Sequence, residues 1–202
     1  MASAEFWYEF ASTYSYPAAL RVAALAEERS VSLAWRPFLL GPIFAAQGWR
    51  DSPFNIYPAK GRYMWRDLER TCAAMGLSLK RPDPFPQPSL LAARVALALQ
   101  GDERANFSRR VFAAEFGEGM AIGDRATLGA LLTDCGIDPA AGFERAESDA
   151  NKALLKAECA RAVEIGIIGA PSIVAHDGEV FWGNDRLEQA LDWAAARVAK
   201  SP

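Results

Sequence analysis

The chain has 202 residues, 51% of them hydrophobic and 23% charged, the proportions of an ordinary globular protein rather than of a disordered tail or a fibre. A chain this long buries roughly 70% of the surface it exposes when unfolded, so it needs no disulfide or metal staple to fold. Its net charge of −3 offers no basic excess, which argues against a nucleic-acid partner. No run approaches the ~18 consecutive apolar residues of a membrane span, and Met1-Ala2-Ser3-Ala4-Glu5 lacks the basic start of a secretory signal. No membrane partner is expected, and the location expected is the cytoplasm. Cys72, Cys135 and Cys159 are too widely spaced for a C-x-x-C pair, and a single histidine, His176, leaves no common zinc pattern. The protein is expected to be reduced and metal-free.

In chain order, Phe6–Phe10 is short and aromatic, as a buried strand would be. A hydroxyl-bearing turn, Ala11–Ser15, leads into an alanine- and leucine-rich helix over Ala18–Arg29. Pro17 would kink a helix begun at Ser12 but is tolerated in the first turn of one begun near Ser15. A second strand, Val31–Leu39, alternates Val31, Leu33 and Trp35 on one face, and Pro37 marks either its end or an edge position. Residues 40–60, with Gly41, Pro42, Gly48, Pro53 and Pro58, read as a loop. Helices are predicted at about 61–75, 89–100, 103–117, 125–135, 140–147 and 150–165. Between the first two of these, Pro82, Pro84, Pro86 and Pro88 form an extended spacer. Asp124 and Asp138-Pro139 supply helix starts. The chain closes with a hairpin, Ser172–Ala175 and Glu179–Trp182 about His176-Asp177-Gly178, and a helix from Asp185 to about Ala199.

The order strand–helix–strand, helical block, hairpin and helix predicts an α/β protein. Its four strands form one mixed, thioredoxin-like sheet. Residues 1–59 and 160–202 are assigned to that core, and 60–159 to a large all-helical insertion.

Four segments are candidates for chemistry. Ser12-Thr13-Tyr14-Ser15 lies where such a core holds its reactive pair at a helix N-terminus; with serines there the side chains donate hydrogen bonds but cannot exchange disulfides. The plain alternative is an N-cap serine. Gly169-Ala170-Pro171-Ser172 places a proline before a buried strand, in the position of a cis-proline beside the reactive helix. That geometry leaves the Ala170 backbone to pair with an extended peptide-like ligand. Asp185 and Glu188 have the spacing of a capping box, or of a helix start that binds a carboxylate while Asp185 accepts an ammonium. Lys60, Tyr63, Arg66 and Asp67 can share one helix face, either as a binding wall or as a solvated face laced with ion pairs. His176 is read as an exposed turn residue, and the cysteines as buried small hydrophobes.

Taken in order, these motifs resemble a known family. Phe10-Ala11-Ser12-Thr13-Tyr14-Ser15-Tyr16 resembles the F-x-S-P-[FY]-S-Y start of the 2-hydroxychromene-2-carboxylate isomerases, with Thr13 in place of proline. Gly166–Ser172 is similar to their G-[IV]-x-G-[VA]-P-[ST] segment, and Phe181–Leu187 to their [FW]-W-G-N-D-R-L signature. Kappa-class glutathione transferases share the plan. The resemblance covers roughly residues 5 to 197 and implies a DsbA-like fold with glutathione as cofactor. Ser12 would then hydrogen-bond the glutathione sulfur, and Asn55, Lys60 and Tyr63 would line the site from the start of the helical insertion. Ala170 beside cis-Pro171 would pair with the cysteinyl backbone, and Asn184 and Asp185 would hold the γ-glutamyl end. The implied reaction interconverts 2-hydroxychromene-2-carboxylate and trans-o-hydroxybenzylidenepyruvate, a step in naphthalene breakdown, in a cytoplasmic homodimer acting on a small aromatic anion. A thiolate lowered in pKa by Ser12 would add to the conjugated system, let the bond rotate and leave again. The competing functions are a kappa-like glutathione transferase conjugating electrophiles and a non-catalytic thioredoxin-like binding protein.

Overall fold

The computed structural model describes residues 2–198, so the expected helix end at Ala199 lies outside the described residues. Four strands, β1 (Ser3–Tyr8), β2 (Ser32–Pro37), β3 (Ser172–Ala175) and β4 (Val180–Trp182), form one sheet in the order β2-β1-β3-β4. β1 runs parallel to β2, with Phe6 opposite Trp35, and antiparallel to β3, with Trp7 opposite Ser172. Its Phe6, Trp7 and Tyr8 are all fully buried, as a central strand covered on both faces requires. Pro37 both ends β2 and lies on an edge strand, so its missing N–H costs the sheet nothing.

Helix α1 spans Ser15–Glu28, and Pro17 is its third residue. Of the two starts the sequence allowed, the structure adopts the one that keeps the proline in the first turn. The same rule explains a correction. Residues 40–60 are not a loop throughout; they contain α2 (Leu40–Ala46), α3 (Pro53–Ile56) and the first turn of α4 (Pro58–Ala74). Pro42 lies in the first turn of α2, while Pro53 and Pro58 open α3 and α4, positions whose N–H has no helical partner to lose.

The helical block continues with α5 (Leu90–Ala98), α6 (Gly101–Phe112), α7 (Arg125–Asp134), α8 (Pro139–Glu147) and α9 (Asp149–Glu164). The single helix expected over 103–117 is instead α6 followed by a π-helical turn, Ala113–Glu118, a local rearrangement that leaves no mark in residue periodicity. As expected, Asp124 accepts from the Thr127 N–H at 3.0 Å, and Asp138 from those of Ala140 and Ala141 at 3.3 and 3.1 Å. A 3-10 turn, Asn184–Arg186, precedes α10 (Leu187–Val198). One apolar core runs from the sheet through the helical block. Cys72 and Cys159 are buried within it, whereas Cys135, at the end of α7, is only partly covered.

Candidate functional site

The tight turn after β1 delivers Ser12 to the start of α1. The Ser12 N–H donates to Glu9 O at 3.0 Å, and the Ser15 N–H to Ser12 O at 3.1 Å. The Ser12 hydroxyl donates to Ala170 O at 2.9 Å across 158 positions of sequence. The Ser15 N–H also approaches Ser12 Oγ, but at 3.4 Å, and the residue before α1, Tyr14, gives no side-chain cap. Ser12 is therefore tied to the opposite loop more firmly than to the helix it precedes. Ser12 as a whole residue is 8% exposed, and rotation about Cβ–Oγ is enough to turn its proton from Ala170 to a ligand atom.

The Ala170–Pro171 peptide is cis. Pro171 is held to the hairpin by the Gly183 N–H, which donates to Pro171 O at 2.9 Å. The half-exposed Trp182 lies across Gly169, where a Cβ would stand 2.6 Å from the indole nitrogen, so a larger residue there would have to displace that ring.

Asn55, Lys60 and Tyr63 are exposed, Asn55 on α3 and Lys60 and Tyr63 on α4. Asn55 donates to Asp51, and the Lys60 ammonium sits 4.7 Å from the Tyr57 ring. Arg66–Glu69 and Arg70–Asp67 pair along α4 at 2.7 and 2.9 Å, so part of this face is the solvated, ion-paired one. Tyr14 connects the two regions. Its hydroxyl donates to Asp67 Oδ2 at 3.0 Å, and its ring lies 6.4 Å from that of Phe54. Helix α4 and the turn that carries Ser12 are thereby fastened together.

Asn184 and Asp185 form the 3-10 turn before α10. The capping-box reading is corrected here: no side chain caps this turn, and Glu188 faces Arg21 of α1 instead. Burial opposes ionisation of Glu188, but hydrogen bonding and charge from Arg21 outweigh it and hold the carboxyl below its ordinary range. Asp185 is exposed and pairs with Arg186 at 3.2 Å.

Sequence reasoning missed two buried carboxylates beneath the turn. Glu9 is 4% exposed and accepts from the N–H groups of Leu40 at 2.9 Å and Ala11 at 3.3 Å, bracing the loop before Ser12. Glu115, in the π turn, is fully buried, and neither of its oxygens has a hydrogen-bond partner among the described residues. Burial, and then the charge of Glu9, push its carboxyl well above the ordinary range. A glutamate at the end of a predicted helix is usually exposed, so nothing local flags it. Arg21 was missed for the same reason: its partners are 163 and 167 residues away. Among the described residues no cluster of His, Cys, Asp and Glu could hold a metal ion, and no helix is long and apolar enough to cross a membrane.

Comparison with known proteins agrees with this architecture. The family model described as DSBA-like thioredoxin domain matches residues 4–193. The 2-hydroxychromene-2-carboxylate isomerase of Sphingobium xenophagum is 29% identical over 186 residues, covering 91% of this chain and 93% of its own. That of Pseudomonas putida is 27% identical over 199 residues, covering 97% and 95%. A solved 2-hydroxychromene-2-carboxylate isomerase structure superposes with a TM-score of 0.86 at 25% identity, over 98% of this chain and 96% of that one. The cytosolic disulfide reductase DsbM of Pseudomonas aeruginosa, solved with GSH, superposes with a TM-score of 0.67 at 17% identity, covering 98% of both chains. The chain thus belongs to the DSBA-like thioredoxin domain family and is homologous along nearly its whole length to the 2-hydroxychromene-2-carboxylate isomerases.

Proposed function

We propose that the protein is a glutathione-dependent isomerase of a small conjugated aromatic anion. The specific reaction is the interconversion of 2-hydroxychromene-2-carboxylate and trans-o-hydroxybenzylidenepyruvate, carried out by a cytoplasmic homodimer in naphthalene-type catabolism. We also read residues 60–159 as the helical unit inserted into the 1–59 and 160–202 core. The observation that carries the functional reading is the Ser12 hydroxyl on Ala170 O beside the cis-proline, in a chain similar from end to end to named isomerases.

The polar groups present fit glutathione. Asn184 and Asp185 together offer an amide and a carboxylate to an amino-acid end, and Ala170 offers backbone groups to a peptide. Ser12 offers a hydroxyl donor where a sulfur would lie, and the presence of GSH in the DsbM structure is in keeping with this. Bound glutathione supplies a thiol, nucleophilic when ionised. The chain's part is to favour that ionised form. A hydrogen bond from Ser12, aided by the N-terminal end of α1, stabilises negative charge more than it stabilises a neutral S–H. Tyr14 is poorly suited to this task. Burial, followed by its bond to Asp67, raises its phenol far above neutral pH, and its proton is already committed to that carboxylate. The exposed Lys60 and Arg62 on α4 offer positive charge to the substrate carboxylate.

The test is turnover of 2-hydroxychromene-2-carboxylate with and without glutathione. Isomer formation that requires glutathione and leaves it unconsumed is the expected result. Consumption with formation of a conjugate would point to a transferase, and inertness in both conditions would leave a binding protein.

A further inference from the structure

The Arg21 guanidinium makes more polar contacts than a surface arginine on a helix needs. Its Nε donates to Asn184 Oδ1 at 3.1 Å and its Nη2 to Asn184 O at 2.5 Å. The same group holds Glu188, through Nη1 to Oε1 and through Nη2 to Oε2 at 3.2 Å. One planar fork from α1 thus fixes the backbone and side chain of Asn184 and the first turn of α10 together.

We propose that Arg21 is a positioning residue that sets Asn184 and Asp185 for the α-amino-acid end of a γ-glutamyl ligand; this rests on the glutathione reading above. An amide that accepts through Oδ1 has its orientation decided, because the NH2 group must point the other way. Arg21 therefore presents Asn184 Nδ2, which has no partner among the described residues, as a pair of donors suited to a ligand carboxylate. Arg21 also occupies Asn184 O, so the turn cannot swing to use that oxygen instead. The neighbouring Asp185 carboxylate is the acceptor for an ammonium. It is folded back over Gly183, whose φ of +120° no ordinary side chain adopts and where a Cβ would stand 2.5 Å from Asp185 Oδ1. The exposed Asp185–Arg186 pair is of a kind that contributes little, so an arriving ammonium can replace it. Amide donors beside a carboxylate acceptor form the complement of a zwitterion, and the guanidinium keeps them in that order.

The experiment compares two probes, glutathione and cysteinylglycine, which lacks only the γ-glutamyl residue. Binding is measured calorimetrically for the wild type, Arg21→Met and Arg21→Lys. Arg21→Met should weaken glutathione binding tenfold or more and leave cysteinylglycine binding within twofold, so that the two affinities converge. Arg21→Lys should recover melting temperature, because an ammonium can still pair with Glu188. It should not recover glutathione affinity, because one ammonium cannot hold Asn184 Oδ1, Asn184 O and Glu188 in the geometry of the fork. Equal losses for both probes would make Arg21 a structural residue and overturn the proposal. So would wild-type glutathione affinity in Arg21→Met, or an Arg21→Lys variant that binds glutathione as the wild type does. If the wild type itself fails to bind glutathione, the functional reading falls and this proposal with it; the other outcomes reject the role of Arg21 alone.

Discussion

Ser12 occupies a position where three demands meet: it must end a turn, precede a helix and face the loop at Pro171. Its backbone serves the turn, through bonds to Glu9 and Ser15. Its hydroxyl serves the opposite loop, through Ala170. This division of labour makes a clean substitution available. Ser12→Ala keeps both backbone bonds and loses only the hydroxyl, at a stability cost of about 1 kcal/mol for one hydrogen bond. On the proposed reading it also takes from a thiolate a charge-assisted bond worth roughly 1.5–3 kcal/mol, so the pKa of the bound thiol should rise and turnover at neutral pH should fall roughly 10- to 100-fold. Thiolate absorbance against pH measures the first and steady-state kinetics the second. Unchanged thiol pKa and turnover would reduce Ser12 to a turn residue.

At the scale of elements, the placement of Asn55 depends on how α3 and α4 meet. They cross at Gly61, where a Cβ would stand 2.4 Å from the backbone oxygen of Phe54. A backbone atom cannot yield as a flexible side chain can, so Gly61→Ala should push α3, and Asn55 with it, off α4. If Asn55 contacts glutathione, as the family resemblance implies, binding should weaken roughly tenfold, the worth of about one hydrogen bond. The sheet, remote from this crossing, should melt nearly as before. Gly41→Ala in α2 is the control, since nothing lies within 4 Å of a Cβ there; it should leave affinity unchanged and improve local helix propensity by up to about 1 kcal/mol. Titration calorimetry on the two variants separates the outcomes, and equal affinity in both would remove α3 from the site.

Glu115 affects the molecule as a whole, because its carboxyl is buried in the core that joins sheet and helical block. A carboxyl raised on folding binds its proton more tightly in the native state than in the unfolded one. Its contribution is therefore fully present below the unfolded carboxyl pKa and declines as pH rises above it. Glu9, also raised by burial against opposing hydrogen bonds, acts in the same direction. Glu115→Gln removes the titration while keeping the shape. Relative to the wild type, its melting temperature should therefore move in the variant's favour between pH 5 and pH 8. A constant difference between the two proteins across that range would mean that Glu115 does not gain acidity on unfolding.

Much of this structure was legible in the residues. The strand–helix–strand start, the Asp-Gly hairpin and the N-caps at Asp124 and Asp138 follow from local backbone preferences, which neighbouring residues largely determine, whereas the spacer expected to be extended is bent over residues 83–86, with cis bonds at Asp83–Pro84 and Phe85–Pro86. The placement of Ser12 by Ala170-Pro171 was foreseen from fold topology and resemblance. What the tertiary structure alone decided are the long-range polar partnerships: Arg21 with Asn184 and Glu188, Tyr14 with Asp67, and Glu9 and Glu115 packed away from water. It also decided that Gly41–Pro58 coils into short helices, since prolines that look like breakers are harmless in a first turn. Local sequence fixes dihedral preferences within a few residues. A charged group's burial and partner depend on which surfaces the fold brings together, and neighbouring residues carry no record of that choice.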